Sequence, residues 1–379
     1  MARDFQFRLS KYYKSLLRNI TMALIVIILG LVFYGDYILY KIPGNLTLTL
    51  YSYTFFGMII VTMVLYLLRE TKPDEENYGS AFIFLKMGLG ILWLVDGILQ
   101  LQPEMPYVFL PYVIIPMMGS TSGAIYNIVN FGVNIWSLHP VIFNAMAAVT
   151  QLFIGIGLLI KLNKTGNVLV LMVSAAWSLI IWIFGEGFGG IFQAGSSFLS
   201  GVPGSALVYF IISIYLLLVI VGLELKWVIP VFMTTVFLIS LILQILPASQ
   251  FWSGYSLSRI PYNLIFLYQP QFLSDSFLYF TNTFIYYDFY WNLFFSIYFA
   301  SCAITWLYRP FYAALLTIPI TLFSWWVGQD FGIISGYGTD PNSGMPLFII
   351  CMFILIFATH SKNYFPLYFL REKSSSKMQ

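Results

Sequence analysis

The stretch IWIFGEGFGG, residues 181–190, sets one acid, Glu186, among four glycines at the end of a strongly apolar run. A second stretch, SWWVGQDFGI at 324–333, echoes it. Sliding the sequence by 143 residues aligns 182–203 with 325–346 without a gap, and nine of the 22 positions are identical. The identities include Trp182/Trp325, Phe188/Phe331, Gly189/Gly332 and Pro203/Pro346, which abundant glycine alone does not supply. The flanks agree, because Asn144 and Asn292 are each followed 17 residues later by a cation, Lys161 and Arg309. A duplication is expected, with a first unit over 80–226 and a second over 227–360.

What surrounds the echo is almost entirely apolar. Of 379 residues, 60% are hydrophobic and 9% charged, and the mean hydropathy is +0.84. So little charge cannot cover a soluble surface, which leaves an all-α polytopic membrane protein. Apolar windows of about 20 residues place spans near 19–40, 49–68, 80–101, 140–160, 167–185, 205–223, 227–246, 286–308, 311–327 and 345–360. That is about ten transmembrane helices: a basic tail and N-terminal hairpin over 1–79, two four-helix units, and a tail over 361–379. With the N-terminus inside, 16 of the 18 Lys and Arg residues fall on the inner side, and only Lys41 and Arg259 fall outside. The positive-inside rule therefore puts both tails in the cytoplasm of a multi-pass cell-membrane protein. Four spans per unit is an even number, so the units are expected to be parallel repeats.

The long segments 102–139, 186–204, 247–285 and 328–344 then lie on the outer face, where Gly- and Pro-rich backbone is expected to fold over the bundle. Three acids sit at that boundary, Asp96, Glu186 and Asp330, and Trp93, Asp96 and Gln100 share one helix face. Acids near hydrocarbon face a bundle interior or water. Asp96, Gln100, Glu186, Gln329 and Asp330 are therefore the candidate proton, ion or quinol-headgroup site. The plainer alternative is that these acids cap helix ends and bind glycine-loop amides. Trp182 and Trp326, one turn ahead of the acids, are expected to anchor at the membrane interface. GTDPNSG, 338–344, reads as a turn with Asp340 or Ser343 capping the last helix. In 251–291, 16 of 41 residues are aromatic, which reads either as an interfacial belt or as a surface for a partner or apolar ligand around Arg259, Trp252 and Asp288.

Several chemistries are excluded by what is scarce. His139 and His360 fall on opposite faces, so no bis-histidine haem can form, and Cys302 and Cys351 fit no metal or disulfide spacing. Any redox centre must come from partner subunits. No Ser–His–Asp or Cys–His arrangement is present. The glycine motif follows a transmembrane helix and lacks lysine, unlike a phosphate loop, and nothing points to nucleic acid. Asn45 heads a glycosylation sequon expected in the first outer loop.

LGILWLVDGILQLQP, 89–103, resembles the opening helix of the DoxX-like four-helix membrane proteins, and the two glycine motifs look like a branch carrying that unit in tandem. The resemblance covers about 80–360. The wider group includes the DoxD-type membrane subunit of thiosulfate:quinone oxidoreductase. It thus implies a membrane subunit of a respiratory or quinone-linked, sulfur-oxidising complex, with quinone as the cofactor, other membrane or redox subunits as partners, and no redox centre in the chain. It transfers no catalytic residue. A small-solute or ion transporter built from two parallel repeats is the competing expectation, and an anchor for outer-surface proteins the third.

Overall fold

The computed structural model describes residues 44–360, apart from 70–78, 120, 122, 224, 253–255, 335 and 336. The expected span 19–40, the basic tail before it and the tail 361–379 lie outside the described residues, as do the side chains of Asn45 and His360.

The described chain is built of helices, and its one bridge outside them joins Arg69 to Leu162. In chain order these are α1 (Gly44–Leu67), α2 (Ser80–Leu99), α3 (Met105–Met118), α4 (Gly123–Leu138), α5 (Pro140–Leu159), α6 (Lys164–Gly185) and α7 (Ser205–Ile220). The second half adds α8 (Val228–Ile245), α9 (Arg259–Leu264), α10 (Gln271–Tyr286), α11 (Asp288–Tyr308), α12 (Pro310–Val327) and α13 (Gly344–His360). Six of these, α1, α2, α5, α6, α8 and α12, are long and apolar enough to cross a membrane, and α3, α7 and α13 are shorter apolar helices. Large apolar side chains also face outwards, as Phe55, Phe56, Ile60 and Met63 do along α1. That arrangement suits lipid rather than water as solvent, so the protein is membrane-embedded.

The two halves use the same helix pairings: α2 lies against α5 as α8 lies against α11, and α6 against α7 as α12 against α13. Helix α1 adds to α5, and α2 meets α13 across the halves. Small residues make the α2–α5 contact close, for a Cβ on Gly97 would press on Leu152 and one on Gly155 on Leu94.

Two of the segments expected to be irregular are largely helical. Segment 102–139 holds α3 and α4, and 247–285 holds α9 and most of α10. Polar residues such as Asn127, Asn130 and Asn134 interrupt the apolar windows that mark a span, without interrupting a helix. Prolines did not break α3 either: Pro106 and Pro116 sit in first turns, and Pro111 lies in a wide turn over Phe109–Ile114 where its missing N–H is tolerated. The helix α1 begins at Gly44, so Asn45 lies in the first turn of a helix rather than in a loop.

Candidate functional site

Helix α6 ends in a π-turn, Ile181–Gly185, that delivers Glu186 to the N-terminus of α7. The first amides of any helix lack internal partners and attract negative charge. Here Ser205 Oγ donates to Glu186 Oε1 at 2.6 Å and the Ala206 N–H donates to the same oxygen at 3.0 Å. The other oxygen, Oε2, is shielded and has no hydrogen-bond partner. A side chain at Gly204 would collide with it, and one at Gly189 would collide with the Pro203 carbonyl, so these two glycines are what let loop and helix end close together.

The same device occurs at the end of α12. Phe331 N–H donates to Trp325 O at 2.8 Å as Phe188 N–H does to Trp182 O, and Phe188, Phe331, Gly189 and Gly332 all have positive φ. Gln329 Oε1 accepts from Gly344 N at 3.0 Å and lies 3.4 Å from Ser343 Oγ, capping α13 as Glu186 caps α7. The indoles of Trp182 and Trp325 donate to Pro203 O and Pro341 O. Thus Trp182 ties its loop to the turn before α7, and Trp326 donates to Ser276 Oγ. Ser205 and Ser343 occupy equivalent places 138 residues apart, so the ungapped register at 143 holds for the glycine turn and then slips by five residues before the next helix.

Behind Glu186 a cavity of about 130 Å³ opens between α2, α3, α4, α5, α6 and α7. Asp96 and Gln100 of α2 line it, as the shared face with Trp93 predicts, and so do Gln151, Tyr209 and Asp340. Asp96 is 3% exposed, and Tyr209 Oη approaches its Oδ1 at 3.4 Å. Gln100 and Gln151 are each 4% exposed, and their Oε1 atoms have no partner. The backbone of Gln100 is fixed by Asn144 Nδ2, which donates to its carbonyl at 2.6 Å. Trp93 is held edge-on against Tyr209, with its indole donating to Ser174 Oγ. Three carboxyl groups, from Asp96, Glu186 and Asp340, therefore share one space, and among the described residues no Lys, Arg or His lines it.

Asp340 enters from the other half of the chain. Gln102 Nε2 donates to Gly338 O at 3.0 Å, and Asp340 accepts from the Asn342 amide and the Thr339 hydroxyl. It closes its own turn and does not cap α13; Gln329 does that. Burial pushes the Glu186 carboxyl up to about 7, with the Asp340 charge adding to the rise and the bonds from Ser205 and Ala206 opposing it. Asp340 is likewise raised by burial, against bonds from Ser205, Asn342 and Thr339.

Gln329 and Asp330 do not join this cavity. They stay at the α12–α13 turn, where burial pushes the Asp330 carboxyl up to about 7. Arg259, Trp252 and Asp288 do not line it either: Arg259 is exposed, Trp252 rests on Phe289 and donates to Ile245 O, and Asp288 Oδ1 accepts from the Phe289 amide. Gln151, Tyr209 and Asp340 were not identified from sequence. An acid inside a turn motif, a Gln one helix turn below small residues and a Tyr in an apolar run carry no spacing signal of their own.

The corresponding place in the second half is full. The same residue types meet, with Gln244 Nε2 donating to Asn292 Oδ1 where in the first half Asn144 Nδ2 donates to the Gln100 carbonyl, and on that register Asp96 falls on Ser240, Trp93 on Phe237 and Gln151 on Phe299. Phe198 enters there from the first half and lies 5.2 Å from Phe237 and 5.4 Å from Phe299, ring centre to ring centre, all at most 1% exposed. Among the described residues, no three His, Cys, Asp or Glu side chains stand close enough to share a metal ion. No family model, curated protein or solved structure matches this chain.

Proposed function

We propose that the chain is a membrane protein of the small-solute transporter class, made of an N-terminal hairpin and two parallel four-helix repeats, with the solute bound at the outer mouth of the first repeat. Both tails are then cytoplasmic, and the turns at 186 and 329 face outwards. Shared helix pairings and matching cap geometry support the duplication, and parallel repeats suit alternating access.

One observation carries the solute-binding reading: the deeply buried Gln100 and Gln151 keep unpartnered oxygens on a cavity that also holds three carboxyl groups. Leaving a buried acceptor unsatisfied costs about 1–3 kcal/mol, and a solute in the cavity would satisfy both. The second half supports the inference from the opposite side. There Gln329 makes the same cap without a charge, so capping alone does not require an acid at Glu186. The test is to extract the protein natively, denature it and identify released small molecules by mass spectrometry. A stoichiometric solute is expected from wild type and none from Ala147→Phe, which puts a ring into the cavity lining at the place that Phe295 holds on the Asn144/Asn292 register. Equal recovery from both sinks the reading.

A second reading, a quinone-linked respiratory subunit without its own redox centre, draws on the DoxX-like resemblance and on a carboxyl group at Glu186 that exchanges its proton near neutral pH. Co-purification with haem or iron–sulfur subunits would favour it over a lone solute carrier.

A further inference from the structure

The chemistry of the cavity wall narrows the ligand further, given the solute-binding reading above. We propose that the first-half cavity takes an organic cation bearing N–H donors, a protonated amine, with its ammonium drawn to the acid-lined wall at Glu186 and its apolar body against tryptophan.

Charge is the first argument. Three carboxyl groups line the space, and among the described residues no cationic side chain lines it with them. A negative ligand would add to that repulsion, and a neutral one would leave it in place, whereas a cation relieves it. Unpartnered atoms make the second argument. Gln100 Oε1, Gln151 Oε1 and Glu186 Oε2 are all acceptors without a partner, and an ammonium group brings three donors. Aromatic faces make the third, since Trp93, Trp136 and Trp177 line the same cavity and a desolvated cation gains from such faces. The indole N–H groups of Trp136 and Trp177 also lack partners, so an amine that carries a hydroxyl or carbonyl group fits the wall better than a bare alkylamine.

Size separates this from a bare metal ion. At about 130 Å³ the cavity approaches the volume that admits a benzene ring, roughly six heavy atoms. The acids stand around that space rather than together, as the lack of a metal-sized cluster among the described residues also indicates. A ligand that spans the cavity can meet all three, and a single ion cannot.

The test is isothermal titration of the purified full-length protein in detergent with four probes of similar size: butylamine, tetramethylammonium, butanol and butyrate. Butylamine is expected to bind best, with tetramethylammonium weaker because it has no N–H donors, and with butanol and butyrate undetected. Glu186→Gln and Asp96→Asn are each expected to weaken butylamine at least about tenfold, as loss of one partner from a desolvated charge pair does. Glu186→Gln keeps its cap, as Gln329 shows, so its loss of binding is not a loss of fold. Butanol or butyrate binding as tightly as butylamine, no butylamine binding at all, or butylamine binding unchanged in both variants overturns the cation assignment. The solute-binding reading survives that result if wild type still releases a solute that Ala147→Phe lacks, so the two failures are distinguishable.

Discussion

Glu186 serves two purposes that a single residue type does not have to combine, and substitution separates them. Its Oε1 caps α7 while its Oε2 is left for something else. Glu186→Gln is expected to leave thermal stability within about 0.5 kcal/mol of wild type. Glu186→Ala, which removes the cap, should cost about 1 kcal/mol, and detergent-phase unfolding of the two variants measures the difference. Glycines of the same loop are likewise unequal. Gly195 has positive φ but open space around it, so Gly195→Ala should cost about 1–2 kcal/mol for the left-handed backbone alone. Gly189→Ala adds a collision with the Pro203 carbonyl and should cost clearly more. Sequence placed Asp96, Gln100 and Glu186 at one boundary, because an acid beside apolar helix is conspicuous and helical spacing fixes its face. It did not show that Asp330 points elsewhere, since the alignment matches Gly187 to Asp330 and Gln329 to Glu186, and only the cap geometry says which of the pair is equivalent.

At the level of elements, the cavity depends on a loop borrowed from the opposite half. Gln102 holds the Gly338 carbonyl, which positions Asp340 over α2 and α7. Gln102→Ala is expected to weaken ligand binding severalfold while lowering stability by about 1–3 kcal/mol, the net worth of the two hydrogen bonds its Nε2 donates to Leu99 O and Gly338 O; titration and thermal unfolding of one variant decide it. The reciprocal insertion, Phe198 into the second half, is structural. Phe198→Ala should destabilise by about 3–5 kcal/mol without touching binding. The long apolar helices were legible because an unbroken apolar run of about 20 residues matches the thickness of a bilayer and little else, and six of them are long and apolar enough to cross one. The described helix ends fall within a few residues of those runs. Helices α3, α4 and α10 were not legible. Their asparagines, prolines and tyrosines break the hydropathy window, while backbone hydrogen bonding within a helix is indifferent to hydropathy.

For the whole molecule, one half keeps a cavity lined by acids and amides, and at the corresponding place of the other Phe198, Phe237 and Phe299 pack together. That asymmetry sets the pH response. Glu186 has its carboxyl raised from 4.5 to about 7, so the empty folded state binds the proton more tightly than the unfolded chain does. Its contribution to stability is therefore full below about 4.5 and is lost as pH rises to about 7. Asp340 shifts in the same direction. Thermal stability of ligand-free protein should fall between pH 5 and 7.5 by more in wild type than in Glu186→Gln. An amine ligand needs the ionised carboxylates, so its affinity should rise over the same range and its binding at pH 7 should release protons, measurable as a heat that varies with buffer. The matching turns were visible in the glycine echo, but the difference between the halves was not, because Phe237, Phe295 and Phe299 read as ordinary apolar residues until their rings are seen to fill one space. The most direct measurement is a cryo-EM map of the natively extracted protein at a resolution that shows side chains. Non-protein density between Asp96, Gln100, Glu186 and Gln151, with none among Phe198, Phe237 and Phe299, is the predicted result. A first-half cavity closed by its own side chains, or holding only water, would contradict the account.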